Sequence, residues 1–256
     1  MREADLIRAA DLLRRSRRSC AFSGAGISTE SGISDFRSPG GIWSKYDPEE
    51  FSYPRFVQSA ESRKRYWRWS VEFYPQLAAA QPNPGHVALA TLERAGLLAC
   101  VVTQNVDDLH RRAGSRRVIE LHGNATRVGC LSCDKEWPRG EIQRWLENGV
   151  DEPRCDACGG ILKPRTVSFG QAMPERETEE AFAEARACEV LLAVGSSLVV
   201  YPAAAMVPVA HEAGASVILV NREPTPFDDI ARIVIHGASG ETLHHIARAL
   251  CPESDA

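Results

Sequence analysis

Four cysteines are spaced for metal chemistry. Cys130-x-x-Cys133 and Cys155-x-x-Cys158 are separated by 21 residues. Two such knuckles can present four thiolates to one tetrahedral Zn²⁺. Gly129, Gly159 and Gly160 beside them permit tight backbone. Four thiolates close the coordination shell, so the expected zinc is structural. It replaces the core that a short insertion lacks. Of the other four cysteines, Cys188 and Cys251 stand apart, whereas Cys20 and Cys100 fall in strand-like runs and are expected in the core.

A second set of residues suits a ligand with phosphates and sugars. Gly24-Ala25-Gly26 follows the apolar run Cys20-Ala21-Phe22. Thr29 stands where the dinucleotide fingerprint G-x-G-x-x-G needs its third glycine. Small residues still let backbone N–H groups approach a pyrophosphate, and Asp35 and Arg37 add charge just beyond. There is no Gly-Lys-Ser/Thr of the Walker type, which argues against a P-loop NTPase. Thr103-Gln104-Asn105-Val106-Asp107-Asp108-Leu109-His110 follows the apolar run 100–102, and His122-Gly123 follows 118–121. A histidine at a strand end is suited to be a general base near neutral pH. Gly195-Ser196-Ser197 and Asn221-Arg222-Glu223 follow two further runs, 190–194 and 217–220. Five strand ends thus carry small or polar groups fit for one elongated ligand.

The elements that must position these groups read as alternating strands and helices. An amphipathic helix is expected over 3–17, with basic residues near its end complementing the dipole. Helices are expected at 86–95, 176–187, 203–213 and 241–250. Continuously apolar strands are expected at 20–22, 100–103, 118–121, 190–194, 217–220 and 233–235. That alternation predicts a parallel sheet covered on both faces. Two segments break it. Residues 35–80 hold Trp43, Trp67 and Trp69, most of the tyrosines and several prolines, and read as a helical insertion. Residues 126–164 hold the four paired cysteines and two tryptophans, with no long periodic element.

Composition fits this picture. The chain has 256 residues, 44% hydrophobic and 25% charged, with net charge −4. A mainly disordered chain and a globally basic nucleic-acid binder are excluded on these grounds. Arginine dominates the basic residues, with only Lys45, Lys64, Lys135 and Lys163 as lysines. The longest apolar run, Leu198 to Ala210, is too short to span a bilayer and contains Pro202 and Pro208. No signal-peptide core follows Met1, so a cytoplasmic location with reduced cysteines is expected.

As a set, these stretches resemble the sirtuin family of NAD-dependent protein-lysine deacylases, of bacterial type. The resemblance rests on Gly24 to Arg37, Pro82-Asn83 with His86, Thr103 to His110, Leu121-His122-Gly123, the four cysteines, Gly195 to Leu198, and Asn221 with Pro224-Thr225. It implies an α/β fold: a Rossmann-like, doubly wound parallel sheet with a smaller zinc-ribbon and helical domain formed by two insertions. The large domain would span about 1–38, 82–125 and 165–256, and the small one about 39–81 and 126–164, in one catalytic unit.

NAD is implied as co-substrate. Its implied contacts are Gly24, Ala25, Gly26, Ser28, Asp35, Phe36, Arg37, Gln104, Asn105, Asp107, Gly195, Ser196, Ser197, Asn221, Arg222 and Ala238. His122, as general base, and Asn105 are the implied catalytic residues. Acyl-lysine peptides would pair strand-like against Val167, Phe169, Gly170, Leu198 and Val199. Products would be nicotinamide, an O-acyl-ADP-ribose and free lysine. Ser34 replaces a proline usual in the family, and Gln171 replaces a common glutamate. Members that remove succinyl or malonyl groups carry Tyr-x-x-Arg in the first insertion. Here Tyr66 leads to Trp69 and Tyr74 to Leu77, so neutral acyl groups, acetyl first, are expected. A mono-ADP-ribosyltransferase or NAD glycohydrolase would use the same scaffold. A nucleic-acid-binding zinc-ribbon module, using Arg63, Lys64, Arg65 and Arg68 among Tyr66, Trp67 and Trp69, is the third alternative.

Overall fold

The computed structural model describes residues 2–35, 41, 44 and 46–252. In chain order the elements begin with α1 (Glu3–Arg15), β1 (Ser19–Ser23), α2 (Tyr53–Gln58), α3 (Ala60–Ala79) and α4 (Pro84–Arg94). Then come β2 (Cys100–Thr103), α5 (Leu109–Arg112), β3 (Val118–Glu120), β4 (Gly123–Cys130), β5 (Glu136–Pro138), α6 (Arg139–Glu147) and β6 (Leu162–Thr166). The chain continues with α7 (Glu175–Ala187), β7 (Val190–Val194), α8 (Met206–Glu212), β8 (Ser216–Asn221), β9 (Ile233–His236) and α9 (Ser239–Leu250).

Six strands form one parallel sheet, ordered β3-β2-β1-β7-β8-β9. Successive side chains point to opposite faces, so each strand feeds two cores. Ala21, Val101, Leu192 and Ile218 pack with Leu13 of α1, Leu89 and Leu92 of α4 and Ile246 of α9. Phe22, Val102, Leu191 and Leu219 pack on the other face with Ala181 and Ala185 of α7 and Met206 and Val207 of α8. Burial on both faces is the reason these strands read as continuous apolar runs. Cys20 and Cys100 lie in the second core as expected, their Sγ atoms 3.4 Å apart.

From β1 the sheet grows through β2 to β3; from β7 it grows the other way, through β8 to β9. The neighbours β1 and β7 therefore flank the point where strand order reverses. Loops leaving two strands in opposite directions cannot fill the space between them, which leaves a crevice at their carboxyl ends.

A smaller antiparallel sheet, β5-β4-β6, carries a core of its own. Val128, Trp137, Ile142 and Leu162 meet Phe56 of α2 and Tyr66 and Trp67 of α3 there. The helical first insertion is as expected. The second differs: residues 126–164 contain most of this sheet and α6. A nine-residue helix offers one i, i+3, i+4 triad, here Ile142, Trp145 and Leu146, too short a pattern to register as periodic. The helix expected over 203–213 is a 3-10 turn at 203–205 followed by α8. Pro208 sits in the first turn of α8, where a missing N–H removes no helical bond.

The basic and aromatic stretch 63–69 is not a stacking surface. Trp67 and Tyr66 are buried, and Arg63 is 6% exposed. The Arg63 Nε lies 2.5 Å from Glu152, and its NH1 donates to the carbonyls of Phe56 and Val57. Bases find no open ring face on these two residues. Among the described residues no helix is long and apolar enough to cross a membrane.

Lys163 on β6 is also buried, and its ammonium donates to the carbonyl of Thr166. Burial pushes its pKa down to about 7 from 10.5. Between those values the unfolded chain holds a proton that the folded chain has released. Stability is therefore expected to rise with pH from about 7 to about 10.5, by roughly 5 kcal/mol at most. Lys163→Met is expected to remove that rise and to stabilise the protein near pH 6. Urea midpoints of both proteins across the range measure it.

Candidate active site and metal centre

A cavity of ≈ 470 Å³ lies at the β1/β7 switch point, a volume within the range of small-molecule sites. It gathers Gly24, Ala25, Gly26, Ser28 and Asp35 from the end of β1, and Gln104, Asn105 and Asp107 from the end of β2. His122 comes from the end of β3, Gly195, Ser196 and Ser197 from β7, and Asn221 and Arg222 from β8. Val167, Phe169 and Gly170 form part of one rim. Phe36 and Arg37 lie outside the described residues. Ala238, Leu198 and Val199 do not line the cavity: Ser239 does so beside Ala238, the Leu198 side chain packs into the second core, and Val199 is exposed.

The two glycine-bearing loops interlock. Gly26 N donates to Gly195 O at 2.7 Å, and a Cβ on Gly26 would stand 2.7 Å from that oxygen. Gly195 has φ +59°, and a Cβ there would collide with the Ile27 amide nitrogen. These glycines are needed first for loop-to-loop packing. That packing leaves the backbone N–H groups of Ala25, Ser196 and Ser197 without a protein acceptor among the described residues. Such a cradle fits phosphate oxygens. Gly195→Ala is expected to cost about 3 kcal/mol or more, read as a fall in melting temperature and in the urea midpoint.

Beneath the cradle runs a buried polar network whose proton positions can be deduced. The Ser28 hydroxyl donates to Asp107 Oδ2 at 2.6 Å and accepts from Asn105 Nδ2 at 3.0 Å. The Asn83 amide N–H donates to His86 Nδ1, so the neutral ring carries its proton on Nε2, facing Ser28 Oγ. Ser23 Oγ donates to Thr103 Oγ1, so His110 Nε2 donates to Ser23. Burial lowers His86 to about 4 and His110 to about 3, and the two rings meet edge to face. Both are neutral at physiological pH and hold their neighbours rather than exchange protons. Burial raises Asp107, opposed by its bonds from Ser28 and the Leu109 N–H.

His122 differs from both. Its Nδ1 lies 3.0 Å from the carbonyl oxygen of Gln104. A carbonyl only accepts, so Nδ1 carries the proton and Nε2 keeps its lone pair. Nε2 has no partner among the described residues, and the residue lines the cavity. Burial lowers its pKa below the usual 6.5. The ring is thus a free base at neutral pH, its tautomer set by a backbone bond.

Part of the cavity wall had no strand-end signal. Tyr66, Ser70, Phe73, Tyr74 and Leu77 form one face of α3 and line it together with Trp69, Phe51 and Arg139. The spacing 66, 70, 73, 74, 77 is that of a helix face, but such an aromatic stripe reads equally as core. On the rim, the Tyr53 N–H donates to Phe169 O at 2.8 Å, the Val167 N–H to His122 O at 2.8 Å, and the Ser168 N–H to Gln171 Oε1 at 3.2 Å. Gln171 thus serves its own turn.

The four cysteine sulfurs lie within 4.8 Å of one another. Cys130–Cys158, Cys133–Cys155 and Cys133–Cys158 are 3.6, 3.7 and 3.6 Å apart. A tetrahedron of Zn–S bonds of about 2.3 Å has edges of about 3.8 Å. The set fits one zinc with all four positions filled by protein, at the end of the small sheet.

Comparison with known proteins agrees with this geometry. The model of the Sir2 family matches residues 24–202. The NAD-dependent protein deacylase 2 of Archaeoglobus fulgidus is 46% identical, over 95% of each chain. The NAD-dependent protein deacetylase of Thermodesulfovibrio yellowstonii is 42% identical, over 92% of this chain and 91% of its own. A solved structure of Sir2 with a p53 peptide and NAD⁺ has TM-score 0.87 at 37% identity, covering 94% of this chain and 97% of the other. One of Sir2 bound to acetylated peptide has TM-score 0.87 at 36% identity, covering 95% and 98%.

Proposed function

The chain belongs to the Sir2 family, and on that premise we propose that it removes acyl groups, acetyl first, from protein lysines in a reaction that consumes NAD. Nicotinamide, O-acyl-ADP-ribose and free lysine are the products. The observation that carries this reading is His122: a neutral imidazole with its basic nitrogen directed by a backbone bond, in the cavity that also displays three N–H groups unpaired among the described residues. When bound, NAD supplies a sugar carbon made electrophilic by departure of nicotinamide.

The chain's residues do the rest. The N–H groups of Ala25, Ser196 and Ser197 hold phosphate oxygens, with Asn221 and Arg222 at the far side. Gln104, Asn105 and Asp107 hold the ribose and the amide pocket, and Asn105 is anchored by Ser28. The acyl-lysine peptide lies between the backbone of 167–170 and that of 198–200, which gives sequence-tolerant recognition. His122 Nε2 takes the proton of a hydroxyl brought within its reach. The aromatic face of α3 keeps water from the acyl end, which favours transfer over hydrolysis.

The residues divide into a large body of about 1–38, 82–125 and 165–256 and a smaller one of about 39–81 and 126–164, a reading supported by the separate core around Trp67. The gathering of four cysteines as a zinc set, rather than as disulfides, supports a reducing, cytosolic setting.

The test is mass spectrometry of the purified protein with an acetyl-lysine peptide, with and without NAD. Loss of the acetyl group only with NAD, alongside O-acetyl-ADP-ribose, is expected. Nicotinamide release that ignores the peptide, or ADP-ribose attached to protein, would overturn the reading in favour of a glycohydrolase or ADP-ribosyltransferase.

A further inference from the structure

The aromatic end of the cavity closes on a cation. Arg139, the first residue of α6, is 1% exposed and lines the same cavity as His122. Its NH2 donates to the Ser70 carbonyl at 3.1 Å and to the Ser70 hydroxyl at 2.9 Å. The guanidinium carbon stands 4.4 Å from the centre of the Tyr74 ring and 5.6 Å from that of Trp67. Its NH1 has no hydrogen-bond partner among the described residues. Among the described residues no carboxylate forms an ion pair with it: Glu147 on the same helix acts on it by charge only and takes a hydrogen bond from Gln143.

This arrangement is costly. A buried charge needs a counter-charge or a full set of hydrogen bonds. The fold gives both to its other deeply buried guanidinium, since Arg63 has the Glu152 carboxylate and two carbonyls. Arg139 has two ring faces, one serine and an orphan N–H. It also occupies the N-terminal turn of α6, where the helix dipole adds positive potential rather than offsetting it. The rings set against it are those of Tyr74 and Trp67, so the field is little screened. A water on NH1 would satisfy the N–H but leave the charge. A carboxylate does both, because its two oxygens match the planar fork.

We propose that Arg139 is a specificity-determining residue for the far end of the substrate's acyl group, so that the enzyme takes acyl-lysines ending in a carboxylate as well as neutral ones. NH1 is itself buried, so a carboxylate reaches it only when a neighbouring side chain turns aside, the Tyr74 ring over the guanidinium being the nearest one. This inference rests on the deacylase reading of the cavity. It departs from the expectation of neutral acyl groups alone, because the arginine comes from α6 and not from the tyrosine-bearing helix.

The experiment compares lysine peptides carrying succinyl, glutaryl and adipoyl groups with their terminal-amide counterparts, and with acetyl, by NAD-dependent turnover. For at least one chain length the acid is expected to exceed its amide in kcat/KM by about 30-fold. Arg139→Gln is expected to bring that ratio to about one. If the buried glutamine variant does not fold, Arg139→Lys, which keeps the charge and loses the fork, is expected to cut the ratio about tenfold. Turnover of acetyl-lysine with no acid preferred over its amide would overturn the inference and leave the deacylase reading standing. A preference unchanged in the variant that folds would overturn the role of Arg139. Absence of turnover on every acyl peptide, acetyl included, would remove both.

Discussion

Replacement of His122 by Asn is expected to lower kcat/KM for acetyl-lysine peptide by about 10²- to 10⁴-fold, the usual range for a positioned general base, without unfolding the protein. The asparagine amide can still donate to the Gln104 carbonyl, which now receives the His122 Nδ1 proton. What is lost is the lone pair on Nε2. The same geometry sets a pH profile. Burial lowers the His122 pKa below 6.5, and protonation removes the base. Activity should therefore stay level as pH falls through 6.5 and drop only below it. His86 and His110, at about 4 and about 3, cannot supply that limb while remaining in their present bonds. Steady-state rates of wild type and His122→Asn from pH 5 to 8 test the assignment. An unchanged rate in the variant, or an acid limb centred above 6.5, would contradict it.

Removal of the zinc is expected to have the second large effect, on structure first and activity as a consequence. Binding free energies of structural zinc are on the order of 10 kcal/mol or more, comparable to the whole stability of a domain. The core that depends on it is small: Val128, Trp137, Ile142 and Leu162 against α2 and α3. Without the metal, four thiols within 4.8 Å of one another have nothing to hold them together. Chelation, or Cys155→Ser, should release the small sheet while the six-stranded sheet keeps its own two cores. Trp137 and Trp145, in edge contact at 6.1 Å, report the change by fluorescence, and far-ultraviolet dichroism should change little. Activity should vanish with the tryptophan signal, because Arg139, Pro164 and Thr166 of the cavity wall come from this sheet and its helix. Metal analysis should give one zinc per chain. Chelation that strips the zinc and leaves both tryptophan signal and turnover intact would refute the structural role.

Legibility in the sequence followed the range of the interaction concerned. The cysteine knuckles are local, so their spacing identified a four-thiolate set that the fold brings within 4.8 Å. The strands of the parallel sheet were legible because both faces are buried and every position is apolar. Polar clusters at strand ends were legible because a carboxyl end follows from chain direction alone. The small sheet was not: its strands are short, and Arg127, Glu136 and Arg165 make its pattern polar, tied by ion pairs instead. The cavity face of α3 was not read from the sequence: its helical spacing is shared with core, and Tyr66 serves both.

By itself, then, the sequence determined the metal set, the alternation of strands and helices, and which strand ends carry donors, acceptors and a histidine. These depend on spacing, period and polarity within a few residues. Only the tertiary structure decided that β1 and β7 are neighbours, because strand order is settled by how helices pack across the sheet. That adjacency locks Gly26 against Gly195 and frees the N–H cradle. Tertiary structure likewise decided which nitrogen of His122 is basic, through a carbonyl eighteen residues away in the chain. It set Arg139 over Tyr74 as well, since the packing of α6 on α3 joins residues far apart in sequence, and no local pattern encodes which side chains two helices will share.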